Sequence, residues 1–171
     1  MHPLSSVDLS FDSNTVADFQ LTGNIALLDT LFSGRAHISD FVEEELKQAH
    51  IKWPTPKVLA LNEGSDLQLF AEIGRNNPSL AQSEVGAITV AFVHGMTLFS
   101  NDRATRQTAT ELGLAVFGSV AILRYGVDSG IINQSDAINI LCQIVAAGPY
   151  CSDELADSLK QDVLKEVPKE R

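Results

Sequence analysis

A chain of 171 residues with 44% hydrophobic and 20% charged residues has the size and composition of one ordinary globular domain, so extended disorder is not expected and a single domain over 1–171 is. No apolar run reaches the roughly 20 residues that span a bilayer, and 1-MHPLSSVDLSFD-12 lacks a basic segment followed by an apolar one, which predicts a cytoplasmic, membrane-free protein. A formal net charge of −10 excludes indiscriminate nucleic-acid binding through a basic surface, but not an acidic site that meets phosphate through divalent cations.

In chain order, Val7 to Phe11 reads as a strand that ends on Asp12. A short helical pattern (Val16, Phe19, Gln20) reaches Gly23, and a second, Ile25 to Phe32, stops at Ser33-Gly34; glycine is common at helix C-termini. Ala36 to Ile38 is a brief strand. Ser39-Asp40 then offers an N-cap, Glu43 stands in capping-box spacing from Asp40, and a helix runs from Phe41 to Gln48. The prolines of 51-IKWPTPKVLAL-61 forbid a helix and leave Val58 to Leu61 as a short edge strand.

Helices follow at Asp66 to Ile73 and Leu80 to His94, separated by the turn-rich 74-GRNNPS-79. Strand Met96 to Phe99, helix Arg103 to Leu112, a stop at Gly113 and strand Leu114 to Phe117 form a unit whose two strands share a sheet by right-handed crossover. The remainder is helical: Val120 to Tyr125, Asp136 to Ala147 behind Ser135 as N-cap, and Ser152 or Asp153 to about Val163. Residues 152–171 thus form a C-terminal helix and the polar tail 164-LKEVPKER-171. Alternating strands and helices predict the α/β class, a central and mostly parallel sheet of 4–5 strands flanked by helices as an α/β/α sandwich.

Neither Cys142 nor Cys151 has metal-ligand spacing, Cys142 reads as a small core residue, and the four histidines are scattered, so no zinc site is expected. Acids on apolar helix faces are more informative. Advancing 100° per residue along 41-FVEEELK-47, Glu45 falls between Phe41 and Val42 while Glu43 and Glu44 turn away; Glu84 heads the stripe Val85, Ile88, Ala91 and Phe92. Each has an ordinary explanation as an acid in the first turns of a helix, favoured by its dipole, and Asp12 and Asp102 have one as helix caps. Residues just past the carboxyl ends of parallel strands gather at one edge, however. Four carboxylates collected there would repel one another unless cations were bound, which points to a metal site.

The segments 12-DSN-14, 38-ISDFVEEEL-46, 83-SEVGAITVA-91, 98-LFSNDRATRQTATELGLAVFGSVAIL-123 and 130-GIINQSDAINIL-141 resemble PIN-domain proteins, a metal-dependent ribonuclease superfamily that includes many prokaryotic toxin nucleases. The resemblance runs from about Val7 into the last helix and is most specific over 83–123. It implies that Asp12, Glu45, Glu84 and Asp102 are the metal-binding and catalytic acids, with Asn14 and Ser100 steadying carboxylates or phosphate from behind. Two positions depart from the pattern: Ser83 replaces a glycine frequent in this branch, and Asn101 replaces an aspartate often found beside the last acid.

The implied activity is Mg²⁺- or Mn²⁺-dependent hydrolysis of RNA phosphodiesters, since hard oxygen ligands select such cations. Arg103 and Arg106 would be available to flanking phosphates. The resemblance also implies a cognate antitoxin that inhibits the enzyme, and a homo-oligomer, a dimer, is expected. The alternative reading is a PIN-like binding or oligomerisation module with weak or no activity. A phosphotransfer enzyme with an aspartyl-phosphate intermediate fits worse, because 12-DSN-14 lacks a second acid and no lysine lies between Lys57 and Lys160.

Overall fold

The computed structural model describes residues 2–62 and 64–147 together with 157, 160, 161 and 163. In chain order the elements are β1 (Leu9–Phe11), α1 (Ser13–Leu21), α2 (Ile25–Phe32), β2 (Ala36–Ser39), α3 (Asp40–Gln48), β3 (Lys57–Leu59), α4 (Gly64–Asn76), α5 (Gln82–His94), β4 (Thr97–Phe99), α6 (Arg103–Glu111), β5 (Val116–Phe117), α7 (Ser119–Asp128) and α8 (Gln134–Ala147). The five strands form one sheet in the order β3-β2-β1-β4-β5, every pair parallel. The α/β expectation therefore holds, with β3 on the edge where its prolines place it.

Both faces of the sheet are covered. β1 is buried throughout, yet its residues serve opposite sides. Ser10 faces α5, where its hydroxyl donates to the Ala87 carbonyl at 2.9 Å. Phe11 lies in an aromatic cluster with Phe99 (centroids 5.0 Å apart), Trp53 (5.1 Å) and Phe32 (5.7 Å), and Tyr125 stacks on Phe32. This alternation is the period-two geometry of a strand. Trp53 is itself anchored: its indole N–H donates to Asp29 at 2.6 Å, and the Thr55 hydroxyl donates to the same carboxylate oxygen. The proline-bearing segment is thereby tied to α2.

Several local expectations change. α4 runs through Gly74 and Arg75 to Asn76 instead of stopping at Ile73, so only the end of 74-GRNNPS-79 is a turn. Ser39 alone caps α3, accepting from the Val42 N–H at 3.1 Å, and Glu43 pairs with Lys47 at 3.0 Å instead of closing a capping box. α8 is capped by Asn133, whose Oδ1 accepts from the Asp136 N–H at 2.8 Å, and not by Ser135. The β3 and β5 strands are shorter than expected. Cys142 is only half-buried. Cys151 and most of the expected last helix and tail lie outside the described residues, although Val163 is buried against the core. No helix among the described residues is long and apolar enough to cross a membrane.

Candidate active site at the carboxyl edge of the sheet

The sheet places its first and fourth strands side by side with Phe11 opposite Phe99, so the residues that follow emerge together. The Asp12 N–H donates to the Phe99 carbonyl at 3.1 Å, and the Ser100 N–H to the Phe117 carbonyl at 2.9 Å. Asp12 and Asp102 then perform the same local task. Asp12 Oδ1 accepts from the Thr15 N–H at 2.8 Å and caps α1; Asp102 Oδ2 accepts from the Thr105 N–H at 2.7 Å and caps α6. Two helix N-termini, each carrying partial positive charge, thus open at neighbouring strand ends.

Glu84 is half-buried one turn into α5, and its carboxylate accepts from the Ala81 N–H at 2.7 Å. Glu45 reaches across from α3 to the start of α1, where Oε2 accepts from the Ser13 hydroxyl at 2.6 Å. The helical wheel placed Glu45 on a core-facing side, but it is exposed. The reason lies in α3: Val42 and Leu46 enter the core, whereas Phe41 turns to stack on Phe70 of α4, with centroids 4.5 Å apart. The side that Phe41 defines is a flank of the helix layer, and Glu45 projects from it.

Asp12 is completely buried, and its Oδ2 has no hydrogen-bond partner. Burial pushes its carboxyl above the ordinary range; the nearby Ser100 and Thr15 groups oppose that rise and the Asp102 charge adds to it. Burial likewise raises Glu84, after which the charges of Asp102, Asp12 and Glu45 push in the same direction. The four acids therefore share one electrostatic neighbourhood. As the side chains stand, no three His, Cys, Asp or Glu among the described residues are gathered as a metal-binding group. Each of the four rests on its own donor.

Of the supporting residues, Ser100 is buried beside Asp12 and accepts from the Asp102 N–H at 3.2 Å. Asn14 is exposed and hydrogen-bonds none of the four acids; its neighbour Ser13 holds Glu45 instead. Arg103 is exposed, while Arg106 turns back and donates through Nη1 to the Ser100 carbonyl at 3.0 Å, bracing the turn that carries Asp102.

The reading of the sequence missed Asp18, although Asp12, Thr15 and Asp18 follow an i, i+3, i+6 spacing that keeps them on one helix face. Asp18 Oδ2 accepts from Asn101 Nδ2 at 2.7 Å and from the Ser119 hydroxyl at 3.4 Å. Asn101 in turn accepts the Ser119 N–H at 2.8 Å, so one carboxamide ties α1, the Asp102 turn and the N-terminus of α7. Position 101 needs both a donor and an acceptor, and an aspartate there would set a second negative charge against Asp18. Gly118 completes the joint, because a Cβ at that position would lie 2.5 Å from Asn101 Oδ1 and 3.0 Å from Arg106 Nη1.

Burial pushes the Asp18 carboxyl up to about 6 from its ordinary 3.8, with the Asn101 and Ser119 bonds opposing and the Asp12 charge adding. The folded state then holds a proton that the unfolded chain has released, so stability falls as pH rises through that interval. In chelator, the melting temperature should decline between about pH 3.8 and 6, and the decline should be shallower in Asp18→Asn. An unchanged slope in thermal melts across that range would contradict this assignment.

A five-stranded parallel sheet whose first and fourth strands lead into the helix-capping acids Asp12 and Asp102 belongs to the α/β folds that bind ligands at that edge. The sequence matches the PIN-domain family over residues 9–165, and the chain is a member of that family. PIN domains form a nuclease superfamily whose members generally use divalent metals. No curated protein matches the sequence.

Proposed function

We propose that the chain is a Mg²⁺- or Mn²⁺-dependent endoribonuclease acting through Asp12, Glu45, Glu84 and Asp102. The observation that carries the reading is Asp12: a fully buried carboxylate with one oxygen lacking any donor, in the electrostatic company of three further acids. Leaving such a charge unpaired costs several kcal/mol. A hard divalent cation fits this donor set, which is all oxygen and strongly negative.

In this reading Asp12 is the principal ligand through Oδ2, while Oδ1 stays on the Thr15 N–H and keeps the side chain oriented. Asp102 is fixed in the same way by Thr105. Glu45, held by the Ser13 hydroxyl at the start of α1, and Glu84, held by the Ala81 N–H at the start of α5, would complete the set of carboxylates that hold the cation. The cation, when bound, supplies polarisation of the phosphodiester and a water acidic enough to attack it near neutral pH. Ser100 accepts from the Asp102 N–H and lies beside Asp12, where its hydroxyl would steady the loaded carboxylate, and exposed Arg103 would contact a flanking phosphate.

Cleavage of single-stranded RNA should require Mg²⁺ or Mn²⁺ and disappear in EDTA, as followed on end-labelled transcripts. Calorimetry showing no Mn²⁺ binding would remove the reading. The protein further fits the toxin of a toxin-antitoxin pair: the acidic edge suits a basic side chain from an antitoxin segment, which would compete with Mn²⁺ for the same carboxylates. Mn²⁺ affinity unchanged by a saturating cognate antitoxin would exclude that mode of inhibition.

A further inference from the structure

Beside Glu45 a cleft of about 260 Å³ opens between α3 and α5, lined by Phe41, Glu44, Glu45, Gln48, Gln82 and Ser83. Its volume falls below the roughly 300–1,000 Å³ typical of drug-sized ligand sites, which limits it to a small group such as one ring system. No lysine or arginine lines it, and two carboxylates do. It therefore repels a phosphate and has no electrostatic use for the RNA backbone.

The lining is instead matched to a base edge. Gln48 Nε2 donates through one of its two N–H groups to Glu44 Oε1 at 3.1 Å across one helical turn, which orients the carboxamide and leaves its carbonyl oxygen and one N–H for a ligand. Glu44 retains a second carboxylate oxygen, and Gln82 adds another carboxamide from the start of α5. Acceptors dominate. Phe41, already stacked on Phe70, gives the cleft an aromatic wall of fixed orientation. Unstacked RNA bases are recognised by such aromatic contacts together with hydrogen bonds along their polar edges. Carboxylates accept from the amino group of cytosine, and glutamine pairs with adenine.

We infer that this cleft is a base-recognition subsite, contiguous with the carboxylate edge, which selects nucleobases bearing an exocyclic amino group and discriminates against uracil. The inference rests on the nuclease reading, since it takes the cleft to hold a base next to the scissile phosphate. Glu45 joins the two regions, lining the cleft while its carboxylate lies on Ser13.

The test uses the full chain in Mg²⁺ with AMP, CMP, GMP and UMP as probes, titrated while the side-chain amide signals of Gln48 and Gln82 are followed by NMR. AMP, CMP and GMP should shift those signals, with UMP weaker by about 5-fold or more, the lower range for one good base contact. Glu44→Gln and Gln82→Ala should each shrink that difference. Equal response to UMP, or shifts that bypass both glutamines, would overturn the subsite. The readout does not depend on turnover: a base preference in a protein that fails to cleave RNA would retain the subsite and remove the nuclease. Cleavage without the preference would do the reverse.

Discussion

Asp12→Asn will abolish metal-dependent RNA cleavage, by about 10³-fold or more, while leaving the metal-free fold at least as stable as the wild type. The size of the catalytic loss follows from what a cation contributes at a reacting phosphate, several kcal/mol of charge stabilisation, with each ~1.4 kcal/mol worth tenfold in rate. The stability argument runs the other way. Asparagine caps helices as well as aspartate does, so the bond from the Thr15 N–H survives. The variant also removes a charge that burial penalises and whose Oδ2 lacks a donor. Because the Asp12 carboxyl is raised in the folded state, its ionisation at neutral pH opposes folding until a cation is bound. Saturating Mn²⁺ should consequently raise the wild-type melting temperature by linkage and the variant's much less. Activity assays and melts with and without Mn²⁺ decide it: a variant that still cleaves, or that Mn²⁺ stabilises equally, removes Asp12 from the metal site.

The second large effect should come from Gly86→Ala, a position remote from solvent in the middle of α5. A Cβ there would lie 2.6 Å from Ser39 Oγ and 3.2 Å from Phe41 Cβ. Alanine would ordinarily favour a helix by about 1 kcal/mol over glycine. Here it collides with the residue that caps α3 and cannot turn away without losing the Val42 N–H. Overpacking of this kind costs about 1–3 kcal/mol, enough to lower the melting point by about 2–10 °C in a chain of this size. Activity should fall as well, since displacement of the α3 start carries Glu45 away from Ser13. Ser39→Gly removes the obstructing hydroxyl at little capping cost, so Gly86→Ala should be milder in that background. Equal destabilisation in both backgrounds, measured by thermal melts, would place the strain elsewhere.

The order of elements was legible because it is written in local patterns. Short apolar runs alternating with helical periodicity require a parallel sheet, and prolines around Trp53 demote β3 to the edge. The strand-end aspartates were equally visible, because Asp12 and Asp102 stand where an apolar run meets a helix start. Errors arose where a local signal had two physical answers. Gly74 and Pro78 read as a break, yet α4 passes through Gly74 to Asn76, and the Asn77 N–H and side-chain amide both donate to the Ile73 carbonyl at its end. The wheel of α3 grouped Phe41 with Val42, and only the stacking of Phe41 on Phe70 revealed that Glu45 follows a flank and not the core.

By itself, then, the sequence determined the α/β alternation, the two aspartates that cap helices at strand ends, and the family, because periodicity and capping act over a few residues. The tertiary structure alone decided which donor holds each acid and which acids are close. Ser13 meets Glu45 across 32 positions and Asn101 meets Asp18 across 83. Such contacts depend on strand order and on how near the helices approach, and no local pattern encodes either. The same dependence left Asp18 and the cleft beside Glu45 unseen until the helices were packed.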